Sequence, residues 1–373
     1  MTYRLRTIGR DEHLAFVEGL PSVSHMQVPS WGAVKPDWRA ESLGWIDEAD
    51  QIVGVALVLY RPLPKLKRYL AYLPEGPVID WYDTDLGRWL RPLLAHLKAQ
   101  GAFTVKMGPP VIARRWDAPT VKAAIADPQA HRLGEVEATT QDPRAFELME
   151  RLRGMGWQQS GGSSEEGFAA GQPRYVFQLS LADRSLEEIQ SGLNQLWRRN
   201  VRKAEKAGVK VLRGGYDDLA SFYELYAETA VRDQFIARPL EYFQRMWKAL
   251  TAEHPDRMRL YLAEHEGDVL AAATMLTVGQ HVWYSYGAST SRKREVQPNN
   301  AIQWQMIRDA HTLGASVYDF RGTTDTLNES NHLLGLLRFK VGTGGQAVEY
   351  VGEWDFPLNK LLHRALDLYM ARR

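Results

Sequence analysis

The chain has 373 residues, 45% of them hydrophobic and 24% charged, and its 46 Lys and Arg residues balance 45 Asp and Glu residues to a net charge of +1. These values are typical of a globular protein with two or three domains, and they exclude a disordered, collagenous or disulfide-built chain. The sequence contains no cysteine. This excludes a cysteine nucleophile and thiolate metal sites, and it is compatible with a reducing cytoplasm.

Two kinds of membrane segment are not expected. The amino-terminal residues include Arg4, Arg6 and Arg10, which interrupt any apolar core of signal-peptide length. The longest apolar run, residues 52–60, is about half of the ~20 residues that span a bilayer, so we interpret it as a buried strand. We therefore predict a cytoplasmic protein without a transmembrane segment.

A pattern of strands and helices in the first half of the chain recurs in the second half. Residues 43–60 predict a strand, an acidic turn and a buried strand, and a helical segment ending in KAQG then leads into the strand AFTVKM. Residues 259–289 contain a similar hairpin followed by the aromatic strand HVWYSYGAS, and a helical segment ending in HTLG leads into ASVYDF. The repetition predicts an α/β protein with two domains, each a mixed, mostly antiparallel sheet flanked by helices.

Composition also indicates where one domain ends. Residues 158–172 are rich in Gly, Ser and Glu, as in loops and linkers. We therefore predict a first domain over residues 1–170 and a second over residues 171–356. Leucines at helical spacing predict a closing helix over residues 357–373, which we assign to the first domain.

Several familiar motifs are missing. The chain has no HExxH metal motif and no GxxxxGK[ST] phosphate loop, and residues 161–167 fail the register of a GxSxG nucleophile elbow. Gly154 and Gly156 lack the third glycine of a dinucleotide fingerprint. We therefore expect no metal and no bound cofactor.

The strongest local charge follows Trp197, in the sequence WRRNVRKAEKAGVKV. Five cations on one short predicted helix would attract a polyphosphate such as tRNA. A solvated helix surface is the alternative interpretation. The five cations are Arg198, Arg199, Arg202, Lys203 and Lys206.

Two further segments contain candidate binding residues. In HVWYSYGAS, strand alternation places Tyr284 and Tyr286 on one face, either as a substrate platform or as half-buried strand residues. In RFKVGTGG, Phe339 and Lys340 precede three glycines. A lysine beside flexible backbone can approach an anionic centre, and a strand followed by a turn is the alternative.

The loop before the predicted helix over residues 301–313 indicates which acyl donor the protein uses. We expect Pro298 near the start of this helix and Asn299 or Asn300 as its cap. In GNAT-type acyltransferases, a Gly-rich loop at this place holds the pyrophosphate of CoA. Residues 290–313 contain no glycine, which disfavours a close backbone approach to phosphate and favours a donor other than CoA.

Six segments occur in order along the chain: SLEEIQSGLNQLWRRNVRKAEKAGVKV, ELYAETAVRDQF, YLAEHEGDVLAAA, WYSYGAS, VYDFRG and RFKVGTGG. Together they resemble the FemABX family of aminoacyl-tRNA-dependent peptidyltransferases. The resemblance covers most of residues 180–355 and extends more weakly over the first domain, through VPSWGAVK and AFTVKMGPPV. It implies two GNAT-like domains and a compact, FemX-like form without a long coiled-coil arm.

The resemblance also implies roles for individual residues. Lys35 matches a lysine that holds the diphosphate of the peptidoglycan precursor, and Arg232 matches its arginine partner. Tyr284 or Tyr286 would line the substrate groove. Lys340 resembles the family lysine near the transferred aminoacyl ester, where it would stabilise negative charge during attack, and Phe339 would shape the wall.

Two positions depart from the family pattern. Relatives carry an acidic residue, sometimes proposed as the base, where this chain has Gly108 in KMGPP. A carboxylate base is therefore absent at that position, and we expect a substrate group or water to remove the proton. Relatives also tend to have an aromatic residue where this chain has Thr343.

The resemblance implies transfer of Gly, Ala or Ser from aminoacyl-tRNA to an amine on the stem peptide of a UDP-linked or lipid-linked precursor, with peripheral contact at the inner membrane face. One alternative is an aminoacyl-tRNA-dependent or acyl-CoA-dependent N-acyltransferase that modifies another peptide or small amine. A non-catalytic murein-binding or tRNA-binding module is a second alternative.

Overall fold

A computed structural model describes residues 3–64, 66–160, 171–331 and 333–370. The chain divides into two compact units. Unit 1 contains Met1–Arg115, Thr140–Tyr175 and Val348–Arg373, and unit 2 contains Trp116–Thr139 and Val176–Ala347. The linker predicted over residues 158–172 falls mostly in residues 161–170, which lie outside the described residues, as does the boundary predicted near residue 170.

The strands, in chain order, are β1 (Arg4–Thr7), β2 (Arg39–Ile46), β3 (Ile52–Pro62), β4 (Tyr69–Leu73), β5 (Ala102–Met107), β6 (Ile112–Asp117), β7 (Thr140–Gln141), β8 (Gln158–Gln159), β9 (Tyr175–Ser180), β10 (Lys210–Gly214), β11 (Met258–His265), β12 (Asp268–Val278), β13 (His281–Ser289), β14 (Val317–Gly322), β15 (Gln346–Tyr350) and β16 (Trp354–Pro357).

The α-helices, in chain order, are α1 (Arg10–Glu18), α2 (Gly87–Ala99), α3 (Ala118–Ala126), α4 (Pro143–Gly154), α5 (Leu186–Gly192), α6 (Gln195–Ala207), α7 (Leu219–Asp233), α8 (Leu240–Glu253), α9 (Pro298–Thr312), α10 (Leu334–Val341) and α11 (Lys360–Met370). The longest of these, α7 and α9, have 15 residues each. Among the described residues, no helix is both long enough and apolar enough to cross a bilayer.

Both units contain the same order of six strands. In unit 1 the order is β1-β2-β3-β4-β5-β16, and β8 extends this sheet beyond β16. In unit 2 the corresponding order is β10-β11-β12-β13-β14-β9. One neighbouring pair in each set is parallel, β4 with β5 and β13 with β14, because α2 and α9 carry the chain back between those strands. The other neighbours are antiparallel.

Helix α2 shows how one side of the unit 1 sheet is covered. Leu90, Leu93 and Leu97 recur at helical spacing and are fully buried. They belong to the same hydrophobic cluster as Val105 and Met107, which alternate along β5. Burial of such apolar faces is the main favourable contribution to folding.

The start of α9 differs from its prediction. Neither Asn299 nor Asn300 caps the helix, because Pro298 occupies the first helical position and Gln297 is the N-cap, with φ of 60°. A proline suits the first position, since its φ is already helical and its missing N–H would have no partner there.

Residues 334–341 are helical, so the alternative prediction of a strand over RFKV is wrong. Leu334, Leu337 and Val341 are buried on α10. Their spacing of three and four residues is that of one helix face. Lys340 therefore projects from the last turn of a helix instead of from a strand.

Candidate functional site

The strand register of unit 1 gathers polar side chains on one face of its sheet. Tyr72 of β4 pairs with Lys106 of β5, and Lys106 pairs with Asp355 of β16. Glu353 lies two residues before Asp355, and Gly108 lies two residues after Lys106. Because side chains two residues apart in extended chain share a face, these five residues form one surface. We call it the polar face of unit 1.

The Tyr72 hydroxyl donates a hydrogen bond of 2.6 Å to the Oε1 atom of Glu353, and the Gln172 side-chain amide donates to the Tyr72 oxygen at 3.2 Å. Glu353 is buried. Burial raises the pKa of Glu353, although the positive charge of Lys106 and the bonds from Tyr72 and the Gln172 backbone act in the opposite direction. Burial and the neighbouring carboxylate also hold the pKa of Tyr72 well above its ordinary value.

Lys35 follows a 3-10 helix over Pro29–Val34 and is half-buried. Its Nζ atom lies 6.0 Å from the ring centroid of Trp38. The Trp38 ring in turn meets the Tyr72 ring edge to face, with 6.4 Å between centroids. The guanidinium of Arg61 lies 5.7 Å from the same Trp38 ring. Trp38 therefore connects the predicted phosphate-binding lysine with the polar face of unit 1.

Lys340 is buried in unit 2, with 2% of the residue exposed. Its Nζ atom donates to the backbone carbonyls of Phe320, Arg321 and Gly322 at 2.9, 3.3 and 2.6 Å. Burial lowers the pKa of Lys340 to about 7; the negative charge of Asp319 acts against this shift, and the positive charge of Arg321 adds to it. The ammonium holds the end of β14, and direct contact with an ester would require it to exchange one of these carbonyls.

The glycines that follow Lys340 are required by packing. A Cβ atom on Gly342 would lie 2.4 Å from Cδ1 of Trp197, and the Asn194 N–H donates to the Gly342 carbonyl at 2.8 Å. The Phe339 ring packs on Trp197, and the Phe339 carbonyl accepts the indole N–H at 2.8 Å. Thr343 donates to the Lys340 carbonyl at 2.6 Å. This backbone therefore approaches α6, and the Phe339 and Trp197 rings pack together beside it.

Arg232 lies in the last turn of α7, with 28% of its side chain exposed. Its guanidinium forms two hydrogen bonds with Asp233, at 2.8 and 3.1 Å, and donates to the Ser289 carbonyl at 2.7 Å. The hydrogen bonds to Asp233 and the negative charges of Asp233 and Glu228 raise the pKa of Arg232, whereas burial acts in the opposite direction. The side chain is held in place beside the end of β13.

Tyr284 and Tyr286 do not face the same side, so that prediction is wrong. Thr274 pairs with Tyr286 and Met275 pairs with Tyr284, which leaves Ser285 as one extra residue in β13. Such a bulge reverses the alternation beyond it. The two tyrosines consequently contact different helices and cannot form one platform.

Tyr286 lies among the aromatic side chains of α7 and α8. Its hydroxyl is 3.1 Å from that of Tyr242, and its ring is 5.1 Å from the ring of Phe243. Tyr284 instead accepts a hydrogen bond from Gln303 of α9, and burial raises its pKa to about 12. Both are half-buried strand residues, as one interpretation of the sequence expected.

The basic segment forms α6 as expected. The Asn194 side chain caps its start by accepting from the Trp197 N–H at 2.8 Å, and Gly208 ends it with φ of 80°. Trp197, Val201 and Ala204 are buried, so the cations occupy the remaining faces. Arg198 donates to the carbonyls of Ser191 and Leu193. The other four cations are exposed and form no ion pair with a described residue: Arg199, Arg202, Lys203 and Lys206.

Unit 1 also contains a cavity of about 520 Å³ that none of the predicted site residues lines. Residues 79–82, 110–115 and 140–142 surround it. The sequence also does not predict that Trp38, Tyr72 and Glu353 lie near one another. Nothing in the sequence marks them, because their proximity arises from strand register and from a contact between segments far apart in the chain.

The chain has the fold of proteins with two GNAT-like domains, which confirms the predicted fold class. A tandem GNAT protein from the clavulanic acid biosynthesis pathway aligns with 96% of this chain and 99% of its own, with a TM-score of 0.52 and 12% identity. A crystal structure of FemX aligns with 97% of this chain and 99% of its own, with a TM-score of 0.80 and 23% identity.

Sequence comparisons identify the family. A model of the FemAB family matches residues 8–268 and 258–370. The lipid II:glycine glycyltransferase of Staphylococcus haemolyticus is 26% identical over 432 aligned positions, covering 98% of this chain and 95% of that protein. The enzyme of the same name from Staphylococcus aureus strain MRSA252 is 25% identical, with the same coverage. The chain belongs to the FemAB family, which confirms the resemblance found in its motifs.

Proposed function

We propose that this protein is an aminoacyltransferase that moves an amino acid from aminoacyl-tRNA to an amine on the stem peptide of a peptidoglycan precursor. The main support is similarity over nearly the whole chain to proteins named lipid II:glycine glycyltransferase. We take a lipid-linked precursor as the acceptor, because lipid II is the acceptor in those names. Glycine is the first amino acid to test, before alanine and serine.

The exposed cations of α6 support a polyanionic donor. Arg199, Arg202, Lys203 and Lys206 lie close together on one helix without carboxylate partners among the described residues. Such a surface attracts the phosphates of RNA and binds them in a salt-dependent way. We therefore propose that α6 binds the tRNA part of the donor.

The start of α9 supports a donor other than CoA. Residues 290–313 contain no glycine, and the helix begins with Pro298, which has no N–H to offer a pyrophosphate. A backbone cradle for phosphate therefore lacks the residues that usually form it. An ester of tRNA needs no such cradle at this position.

The chemistry requires positioning and charge stabilisation. An aminoacyl ester is already activated, so the enzyme must hold an amine near it and stabilise the oxyanion of a tetrahedral intermediate. We propose Lys35 as a phosphate ligand of the precursor, and we propose that the charge of Lys340 stabilises the oxyanion. Arg232 stays a predicted phosphate ligand. Lys340 would act through its charge and by holding the backbone at Phe320–Gly322. Phe339 and one of Tyr284 and Tyr286, which face opposite sides of β13, are proposed to shape the surrounding walls.

The proposal is tested by offering purified protein a pool of charged tRNAs and a lipid-linked precursor, and weighing the product by mass spectrometry. We expect the precursor to gain the mass of one amino acid, and ribonuclease treatment to abolish the gain. Transfer that survives ribonuclease and requires acyl-CoA would contradict the tRNA donor. Binding of precursor without transfer from any donor would support a binding module instead.

A further inference from the structure

Glu353 is a buried carboxyl group whose hydrogen-bond donors are all uncharged. Its partners are the Tyr72 hydroxyl and the Gln172 backbone N–H. The nearby Lys106 ammonium is bonded to Asp355 at 2.8 Å and to Ser160 at 2.6 Å. Buried carboxylates are usually stabilised by a cation. Glu353 lacks one at hydrogen-bond distance among the described residues, so the fold maintains it at a cost in stability.

Gly108 lies directly against the Glu353 side chain. A Cβ atom placed on Gly108 would lie 3.5 Å from Cγ of Glu353 and 3.4 Å from the backbone nitrogen of Glu75. These are van der Waals contact distances, and Gly108 is buried. Position 108 therefore lies against Glu353 but supplies no side chain beside the carboxyl group.

Tyr72 connects Glu353 with the rest of the polar face. Its ring is half-buried, whereas Glu353 is 7% exposed. On one side the Tyr72 hydroxyl bonds Glu353, and on the other its ring meets Trp38 beside Lys35. A molecule held by Lys35 would therefore approach the Tyr72 hydroxyl before it approached the carboxyl group.

We propose that Tyr72 and Glu353 form a proton relay that accepts the proton of the attacking amine. This inference rests on the proposed function, because it assigns the base of the amine acylation. Tyr72 is the group that contacts the amine, and Glu353 is a positioning residue that acts through Tyr72 and receives the proton. The relay supplies, from the residue just before β16, the carboxyl group that position 108 lacks.

The step conserves atoms and charge. The neutral amine attacks the ester carbonyl, so a C–N bond forms and, as the intermediate collapses, the bond between the carbonyl carbon and the ribose oxygen breaks. The amine proton moves to the Tyr72 oxygen while the Tyr72 proton moves to Oε1 of Glu353. The departing ribose oxygen takes a proton from water, and Glu353 returns its proton to solvent. The net change is one proton moved from the amine to the ribose hydroxyl.

The surrounding charges suit this role. Lys106 on β5 and Asp355 on β16 oppose one another in their effects on Glu353, and Glu75 adds negative charge near Tyr72. Burial remains the largest influence and raises the pKa of the carboxyl group. A base whose pKa is moved toward the working pH transfers protons more effectively than an ordinary exposed glutamate.

The test compares Glu353→Gln and Tyr72→Phe with wild type in transfer from charged tRNA, measured as kcat and KM across pH. We expect kcat to fall roughly 100-fold in each variant, within the range of general base catalysis, with KM for the precursor changed less than about twofold. In wild type, kcat should fall at low pH as Glu353 becomes protonated; we call this part of the profile the acid limb. It should disappear in Glu353→Gln. A purely structural pair would lower thermal stability and leave that limb in place.

The same sheet offers a matched control. Tyr60 donates to Glu41 at 2.5 Å, and Glu41 also meets His96 of α2 at 3.1 Å, which places this second tyrosine–glutamate pair on the α2 side of the sheet. Glu41→Gln removes a carboxylate from a comparable pair. We expect it to alter stability without changing the pH profile. Loss of the acid limb in Glu41→Gln as well would overturn the assignment.

A measurement without turnover separates the relay from the proposed function. Infrared difference spectra of wild type against Glu353→Gln report the protonated carboxyl group of Glu353 as pH is raised. We expect the protonated carboxyl group to persist at pH values above those at which exposed glutamates lose their proton. An ordinary titration, or unchanged kcat in both variants, would overturn the relay. If wild type is inactive but Glu353 shows the expected infrared titration, the proposed function and the catalytic role of the relay are both wrong. The raised pKa of Glu353 would still be established.

Discussion

The Nζ atom of Lys340 lies 2.6 Å from the backbone carbonyl oxygen of Gly322, and the same ammonium bonds the two preceding carbonyls. A lysine expected to meet a substrate is thus part of the interior of unit 2. Its charge is fixed beside the end of β14, and its effect on a reaction would be exerted over a distance set by the fold.

Lys340→Met should lower kcat at least ~100-fold, an effect similar to removing one oxyanion donor, while KM for the precursor changes little. Methionine fills the space but leaves three carbonyls without their donor, at about 1–3 kcal/mol for each buried unpaired group. Steady-state kinetics and thermal unfolding of the same preparation separate the two effects. Equal turnover in the folded variant would remove Lys340 from the mechanism.

The pKa of Lys340 predicts how stability changes with pH. Its pKa is lowered to about 7 in the folded chain, while an unfolded lysine titrates near roughly 10.4. Between these values the unfolded chain binds more protons, so stability rises with pH, by at most about 1.4 kcal/mol per pH unit. Urea unfolding between pH 6 and 9 should show wild type gaining stability relative to Lys340→Met. A pH-independent difference would contradict the shifted pKa.

Lys35→Ala should raise KM for the precursor roughly tenfold, the equivalent of about 1.4 kcal/mol, with a smaller change in kcat. Half-burial beside Trp38 makes this lysine a fixed charge. Added salt should bring the KM of wild type toward that of the variant, because screening weakens a phosphate contact. Lys67→Ala, at an exposed position of unit 1, is the control. An unaltered KM in Lys35→Ala would exclude Lys35 from precursor binding.

Replacing Arg202 and Lys203 together by glutamine should raise KM for charged tRNA and leave KM for the precursor unchanged. Two lost phosphate contacts should reduce the slope of log affinity against log salt by about 1–2. Arg91 and Lys98 are exposed on α2, so the corresponding double variant removes the same charge elsewhere. If both double variants weaken tRNA binding equally, α6 has no specific role in donor binding.

Gly345→Ala should destabilise the protein by about 1–3 kcal/mol, as overpacking does. A Cβ atom there would lie 2.4 Å from the backbone carbonyl of Gln178, which β9 holds in place. Gly335→Ala is the matched control, because nothing lies within 4 Å of its Cβ position on α10. That substitution should stabilise by roughly 0.5–1 kcal/mol. Chemical unfolding measures the free energy of unfolding of both variants. Equal changes in the two would show that close packing at Gly345 is not the cause.

The sequence by itself determined the repeated architecture. Apolar runs and acidic turns predicted the hairpin from β2 to β3 and the strands β11 to β13. The sequence also predicted a helix that ends at a glycine before each of β5 and β14. These features depend on contacts a few residues apart. Side-chain periodicity and the conformational freedom of glycine act at that range, so they leave a local pattern.

Tertiary structure alone decided which residues meet. The bulge at Ser285 turned Tyr284 and Tyr286 to opposite faces, although simple alternation predicts one face. Lys340 reached the carbonyls of β14 only because α10 packs against that strand's end. Tyr72 and Glu353, separated by 281 residues, share a hydrogen bond through the register of three strands. Such meetings depend on long-range packing, whose free energy is summed over many side chains and is not encoded in any short segment.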